Sequence, residues 1–149
     1  MEKAGGTPRL LSTQTGTVQA FNHLDKADTF EVDSTVADAD PSAYDGLVLP
    51  GGVANPDALR LDEDAVAFVK EFAESDRPIA AICHAPWTLV EADVVRGKRL
   101  TSFPSLRTDI RNAGGTVVDE EVVVDKGLIT SRNPNDLDAF CSTLVKEFA

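Results

Sequence analysis

The fold of this chain is decided by one stretch, which reads Pro78-Ile79-Ala80-Ala81-Ile82-Cys83-His84-Ala85-Pro86-Trp87. Its first part, Ile79–Ile82, is apolar at every position, which is typical of a strand that helices cover on both faces of a parallel sheet. Cys83 and His84 end that run, and a helix is expected just after them. The stretch therefore predicts a buried strand, a sharp turn that carries Cys83, and a helix.

A second apolar run comes earlier in the chain. Residues 46–49 (Gly-Leu-Val-Leu) are followed by Pro50-Gly51-Gly52, so they predict another buried strand. A helix is predicted between the two strands because Asp62 is a suitable N-cap. Apolar residues then recur at helical spacing, at Ala65, Val66, Val69, Phe72 and Ala73. Strand, helix and strand make a βαβ unit, and if the strands are neighbours their ends face each other across a crevice.

The other segments complete an α/β pattern. Strands are predicted at 8–12, 117–118, 122–124 and 128–130, a small hairpin or excursion at 17–21 with 30–33, and a helix from Ser105. A last helix from about Asn135 places Leu137, Cys141, Leu144 and Phe148 on one apolar face, so Cys141 is expected in the core. The sequence thus predicts one α/β domain over residues 1–149, a doubly wound, mostly parallel sheet flanked by helices.

Composition excludes several classes of protein. The formal charge of −11, without a cluster of lysine or arginine, argues against nucleic-acid binding. The longest apolar runs are far shorter than the ~20 residues of a membrane span. The beginning of the chain has no apolar signal segment, and two cysteines fit a reducing compartment, so a soluble cytoplasmic protein is expected. Two histidines without metal-ligand spacing argue against a structural metal site.

The two strand ends carry the candidate chemistry. Cys83 is expected on a turn from strand to helix, the geometry of a nucleophile elbow, where the positive end of the helix dipole favours the thiolate. Gly51 and Gly52 lack side chains, so their N–H groups could approach an oxyanion closely. His84 could move a proton. The sequence therefore predicts a cysteine-dependent site at this edge of the sheet.

Plainer interpretations stay open for the same residues. Cys83 could be a small buried apolar residue, His84 could cap or pack, and the two glycines could only form a turn. Three other features are expected to be structural only: His23 at the surface, Trp87 in packing, and the run Asp119-Glu120-Glu121 as a solvated turn.

Taken together, these motifs carry a resemblance to a known family. They are residues 44–52 and 78–87, continued by 100–105, 122–125, 130–132 and the last helix. The chain resembles the PfpI family over nearly its whole length. That family belongs to the superfamily of the parkinsonism-associated deglycase and is related in fold to class I glutamine amidotransferases. The resemblance implies a flavodoxin-like fold, a reactive cysteine and a homo-oligomer, either a dimer or a hexamer.

The resemblance also implies activities and site residues. Family activities are peptidase, glyoxalase without added cofactor, and protein deglycase, so no metal or organic cofactor is expected. Peptidase-type members use a cysteine, the next histidine, and a carboxylate lent by a neighbouring subunit. In this sequence these are Cys83, His84 and, as the best match, Asp57. Asn55-Pro56-Asp57 is also typical of a helix start, with Asn55 capping and Asp57 pointing outward.

Two departures from the family pattern stand out. Ala85 occupies a position that is usually glycine, which would tighten the pocket. The family's first strand, and a loop glutamate that hydrogen-bonds the cysteine sulfur, have no counterpart here. A start codon further upstream, a fragment, and divergence are the open explanations.

The leading functional hypothesis is a cysteine-dependent hydrolase, glyoxalase or deglycase of stress defence. It would act on a small carbonyl compound or a peptide, with Cys83 as the nucleophile. A non-catalytic redox sensor or chaperone, in which Cys83 is oxidised, is the alternative from another class. An inactive truncated relative is a third possibility.

Overall fold

The computed structural model describes residues 1–149, and the chain divides into two compact units, Met1–Asp40 and Pro41–Ala149. No helix in it is both long enough and apolar enough to span a lipid bilayer. The single domain expected from the sequence stays a prediction.

The smaller unit is built from four short strands. They are β1 (Leu11–Ser12), β2 (Thr17–Asn22), β3 (Asp25–Glu31) and β4 (Ser34–Thr35). The first and last of these pair in parallel, and β2 and β3 form an antiparallel hairpin. The predicted strand at 8–12 is present only at Leu11–Ser12. The hairpin is confirmed, but its second strand begins five residues earlier than expected, at Asp25, and ends at Glu31. His23 lies in the hairpin turn with a φ of 55° and is exposed, as expected.

The larger unit alternates strands and helices. In chain order these are β5 (Leu47–Leu49), α1 (Ala54–Leu59), α2 (Glu63–Ala73), β6 (Ile79–Ile82), α3 (Pro86–Glu91), β7 (Arg99–Leu100), α4 (Arg107–Asn112), β8 (Thr116–Val117), β9 (Val122–Asp125), β10 (Leu128–Ser131) and α5 (Leu137–Glu147). The central sheet has the order β5-β6-β10-β9. Its first three strands are parallel, and only β9 is antiparallel. The α/β class and the mostly parallel sheet are confirmed.

The βαβ unit forms for the reasons that its sequence indicates. The side chain of Asp62 accepts a hydrogen bond from the Ala65 N–H at 2.9 Å, which satisfies a free donor at the start of α2. The apolar face of that helix is buried, and Phe72 has no exposed surface. All four residues of β6 are buried, so the sheet is covered on both faces. Helix α5 packs on the face that carries Ala80, Ile82 and Ile129.

The prediction that Cys141 lies in the core is wrong. Cys141 is exposed, and Leu137 at the start of α5 is 45% exposed. Of the predicted face, Leu144 is buried and Phe148 packs against the core, and Phe140 is buried in place of Cys141. Phe140 and Cys141 are adjacent in the sequence, and burial of the larger phenylalanine removes more apolar surface from water.

Candidate active site

The two predicted turns lie side by side. Strand β5 pairs in parallel with β6, with Leu49 opposite Ala81, so Gly51 and Cys83 follow at the same edge of the sheet. A Cβ added to Gly51 would lie 2.7 Å from the Cys83 Cβ and 3.5 Å from its sulfur. No real side chain tolerates such a distance, so only glycine fits at position 51. Cys83 and the diglycine turn are therefore neighbours, as the sequence predicts.

Cys83 has the backbone geometry of an elbow. Its φ is 65°, a left-handed conformation that costs a non-glycine residue roughly 1–3 kcal/mol. Two long-range hydrogen bonds hold it there. The Cys83 N–H donates to the Ser131 carbonyl at 3.0 Å, and the Cys83 carbonyl accepts from the Phe103 N–H at 2.9 Å. The cysteine itself is half-buried and packs against the core cluster that contains Ala80, Ile82 and Ile129.

His84 lies directly against the sulfur. Its Nδ1 is 3.2 Å from Cys83 Sγ, and its Nε2 is 3.3 Å from Ser105 Oγ. The ring is 7% exposed, stacks on Phe103 with centroids 4.4 Å apart, and meets Trp87 edge-on at 5.5 Å. Burial lowers the pKa of His84, because the charged imidazolium loses solvation there. A neutral imidazole beside a thiol is a competent proton acceptor.

Asp57 and Gly52 are more exposed than Cys83 and His84. Asp57 is exposed on α1, as predicted, and the two ring nitrogens of His84 face Cys83 and Ser105 rather than a carboxylate. Gly52 is exposed and has a φ of 81°. The structure thus brings Gly51, Cys83 and His84 together.

The predicted cap at Asn55 is wrong. Helix α1 already begins at Ala54, and Val53 occupies the cap position without a side-chain hydrogen bond. The Asn55 side chain instead donates to the Pro50 carbonyl at 3.1 Å. It therefore ties the start of α1 back to the diglycine turn, because its amide group can donate as well as accept.

Three contacts around His84 were not predicted. The sequence predicts only that a helix starts at Ser105 and that Trp87 packs. It gives no separate reason to select Phe103. The Trp87 indole N–H also donates to Asp109 Oδ2 at 2.9 Å, which anchors that ring. The only signal in the sequence was that Phe103 and Ser105 lie within one of the segments that carry the family resemblance.

A charged cluster lies just beyond β10. Arg132 binds Asp136 through two hydrogen bonds of 2.8 and 2.9 Å, and Asp119 accepts from both Arg132 and Arg107 at 3.1 and 2.8 Å. Hydrogen bonds from Arg132 hold the pKa values of Asp119 and Asp136 below their usual range. Residues 119–121 are exposed, as expected of a solvated turn, and Asp119 in addition links two arginines.

Comparisons with known proteins agree with this architecture. A model of the DJ-1/PfpI family matches residues 1–147. The YraA protein of Bacillus subtilis (strain 168), whose name carries the words cysteine protease, is 39% identical over 139 residues, covering 93% of this chain and 80% of that protein. Protein/nucleic acid deglycase 2 of Escherichia coli (strain K12) is 46% identical over 110 residues, covering 73% of this chain and 63% of that protein.

A solved structure supplies the fold. It is a two-domain protein of Anabaena variabilis that contains DJ-1/ThiJ/PfpI-like and ferritin-like domains. It matches with a TM-score of 0.91 and 35% identity, over 97% of this chain and 41% of that chain. The flavodoxin-like fold expected from the sequence is confirmed.

Proposed function

Since the chain belongs to the DJ-1/PfpI family, we propose that it is a cysteine-dependent enzyme of the hydrolase or deglycase type. Its substrate would be a small carbonyl compound or a peptide, and Cys83 would be the nucleophile. One observation carries the proposal: the Cys83 sulfur, on an elbow with a φ of 65°, lies 3.2 Å from His84 Nδ1. Relatives named cysteine protease and deglycase support the same class of chemistry.

The chemistry follows from this geometry. His84 Nδ1 takes the thiol proton, and the thiolate attacks the carbonyl carbon, forming an S–C bond while the C=O π electrons move to oxygen. Backbone N–H groups of Gly51 and Gly52 would stabilise that oxyanion. With a peptide substrate, the oxyanion collapses to a thioester, the C–N bond breaks, and the leaving amine takes the proton from Nδ1. Water then hydrolyses the thioester, which releases the acid and restores the thiol.

Asp57 would complete the site from a neighbouring copy of the chain. It is exposed on α1, and His84 has no carboxylate partner within its own chain. Mixing two inactive variants, Cys83→Ser and Asp57→Asn, tests this role. If the carboxylate crosses an interface, mixed oligomers regain part of the native activity. If the mixture of the two inactive variants stays inactive, the carboxylate does not cross an interface. Full activity of Asp57→Asn alone would show that Asp57 has no catalytic role.

The nucleophile is tested by following methylglyoxal loss and peptide cleavage with Cys83→Ser. We expect turnover to fall by about 10³-fold or more, as is usual when a covalent nucleophile is removed. Cys141→Ser is the matched control, because Cys141 is exposed on α5 and should not contribute. Equal turnover by Cys83→Ser and the native protein would refute the proposal. Selective peroxide oxidation of Cys83 without turnover of either substrate would instead support the redox-sensing alternative.

A further inference from the structure

The orientation of His84 is determined by three neighbouring side chains. Phe103 stacks on its face, Trp87 meets it edge-on, and Ser105 Oγ lies 3.3 Å from Nε2. Trp87 is itself held by two charged side chains, because Arg60 lies over its ring and Asp109 accepts its indole N–H. Ser105 is thus the one hydrogen-bonding group that the fold supplies to Nε2.

The backbone holds Ser105 in a defined place relative to the sulfur. It is the middle residue of the short 3₁₀ turn Pro104–Leu106. On one side of that turn the Phe103 N–H donates to the Cys83 carbonyl at 2.9 Å, and on the other side Leu106 is completely buried. Ser105 cannot drift away from His84 without breaking a contact to the elbow or to the core.

The tautomer of His84 decides whether Nδ1 can take a proton. A neutral imidazole has one donor nitrogen and one acceptor nitrogen. For Nδ1 to accept the proton of Cys83, the ring hydrogen must be on Nε2, where Ser105 Oγ can accept it. After the transfer both nitrogens carry hydrogen, and Nε2 still donates to Ser105. The same hydrogen bond therefore serves both protonation states without any rearrangement.

We infer that Ser105 is a positioning residue: its hydroxyl oxygen accepts the Nε2–H of His84 and keeps Nδ1 directed at the Cys83 sulfur. The inference rests on the proposed function, in which Nδ1 is the base, and adds the residue that sets its tautomer. Serine suits this place because its hydroxyl is small and can accept while it donates to solvent. Ser105 is exposed, so its hydroxyl can also donate a hydrogen bond to water.

Alkylation of Cys83 by iodoacetamide tests the inference without any need for turnover. The background is Cys141→Ser, because the exposed second thiol would otherwise react as well. The rate is measured against pH for the parent, Ser105→Ala and Ser105→Thr. We expect the alanine variant to react about tenfold more slowly near neutral pH, because Nδ1 of His84 is then less often free to take the thiol proton. The threonine variant keeps a hydroxyl and should stay within about twofold of the parent.

A second measurement covers the case in which the alanine variant fails to fold. The chain has two histidines, so ¹⁵N NMR of the native protein can assign the tautomer of His84 directly. Hydrogen on Nε2 supports the inference. Hydrogen on Nδ1, or identical alkylation profiles for Ser105→Ala and its parent, would overturn it. If the profiles shift but no carbonyl substrate is consumed, the proposed function fails while the role of Ser105 stands.

Discussion

Gly51 and Cys83 are in such close contact that a single added methyl group at position 51 would lie 2.7 Å from the cysteine Cβ and 2.9 Å from the Ile82 carbonyl oxygen. The contact joins the ends of two neighbouring parallel strands. The diglycine turn therefore lines one side of the site, independently of any role of its amide groups in catalysis.

Gly51→Ala is therefore expected to be damaging. Overpacking of this kind costs about 1–3 kcal/mol, and relief of the clash must move the elbow. We expect urea denaturation to show that loss and alkylation to show slower reaction of Cys83. Gly52→Ala is the matched control, because a Cβ there meets nothing within 4 Å and suffers only from its φ of 81°. It should cost about 1–2 kcal/mol and leave Cys83 reactive. A Gly51→Ala protein with native stability and reactivity would contradict the close contact.

Stability should fall on the acid side because of His84. Burial lowers its pKa below the ordinary value of 6.5. Above pH 6.5 the histidine is neutral in the folded and unfolded chains, and its stability contribution is complete. As the pH falls below 6.5, the unfolded chain binds a proton that the folded chain excludes, so the free energy of unfolding decreases until the folded pKa is passed.

The measurement is urea unfolding at pH values on both sides of 6.5, with the native protein and His84→Gln. The variant should lose less stability between them than the native protein does. His23→Gln, which changes the exposed second histidine, checks that the effect belongs to His84. The same slope in the native protein and His84→Gln would show that His84 is not the cause.

Asp136 should stabilise the segment after β10. Its side chain is 6% exposed and accepts two hydrogen bonds from the Arg132 guanidinium, which are the main cause of its lowered pKa. We expect Asp136→Asn to cost about 1–2 kcal/mol in chemical denaturation, because a charge-assisted pair is lost. In the native protein this contribution is present above pH 3.8 and disappears as the pH falls through the lower folded pKa. Asp138→Asn, on the exposed side of α5, is the control. Equal midpoints for both variants would count against the ion pair.

The cap of α2 gives a local stability test. Asp62 accepts a hydrogen bond from the Ala65 N–H, so Asp62→Ala should cost about 1 kcal/mol. Asp62→Asn keeps an acceptor oxygen and should lose much less. Thermal unfolding of both variants is sufficient to check this, and equal losses would mean that charge at the helix start matters rather than the cap.

Local signals in the sequence were enough to predict much of the fold. The runs around Leu49 and Ile82 and the cap at Asp62 all act over a few residues, and each was predicted correctly. The backbone strain at Cys83 could also be predicted from the sequence, because a strand followed directly by a helix needs a sharp bend.

Local signals in the sequence do not predict contacts between residues that are far apart along the chain. Ser105 meets His84 across 21 positions of the chain, and Arg132 reaches Asp119 across 13. No short sequence motif predicts such pairs. The prediction for Cys141 was wrong for another reason: both Phe140 and Cys141 are close to the face of α5 that carries Leu144, and helical periodicity alone does not say which of the two faces the sheet.

The two long-range hydrogen bonds at residue 83 join the elbow to β10 and to the segment before α4. A bend tied at both ends cannot open as an isolated loop, because doing so would free two backbone donors and two acceptors at once. On warming, irreversible loss of the reactive thiol should thus coincide with melting of the central strands. Deuterium uptake at the amide of residue 83 should be as slow as in the middle of β6.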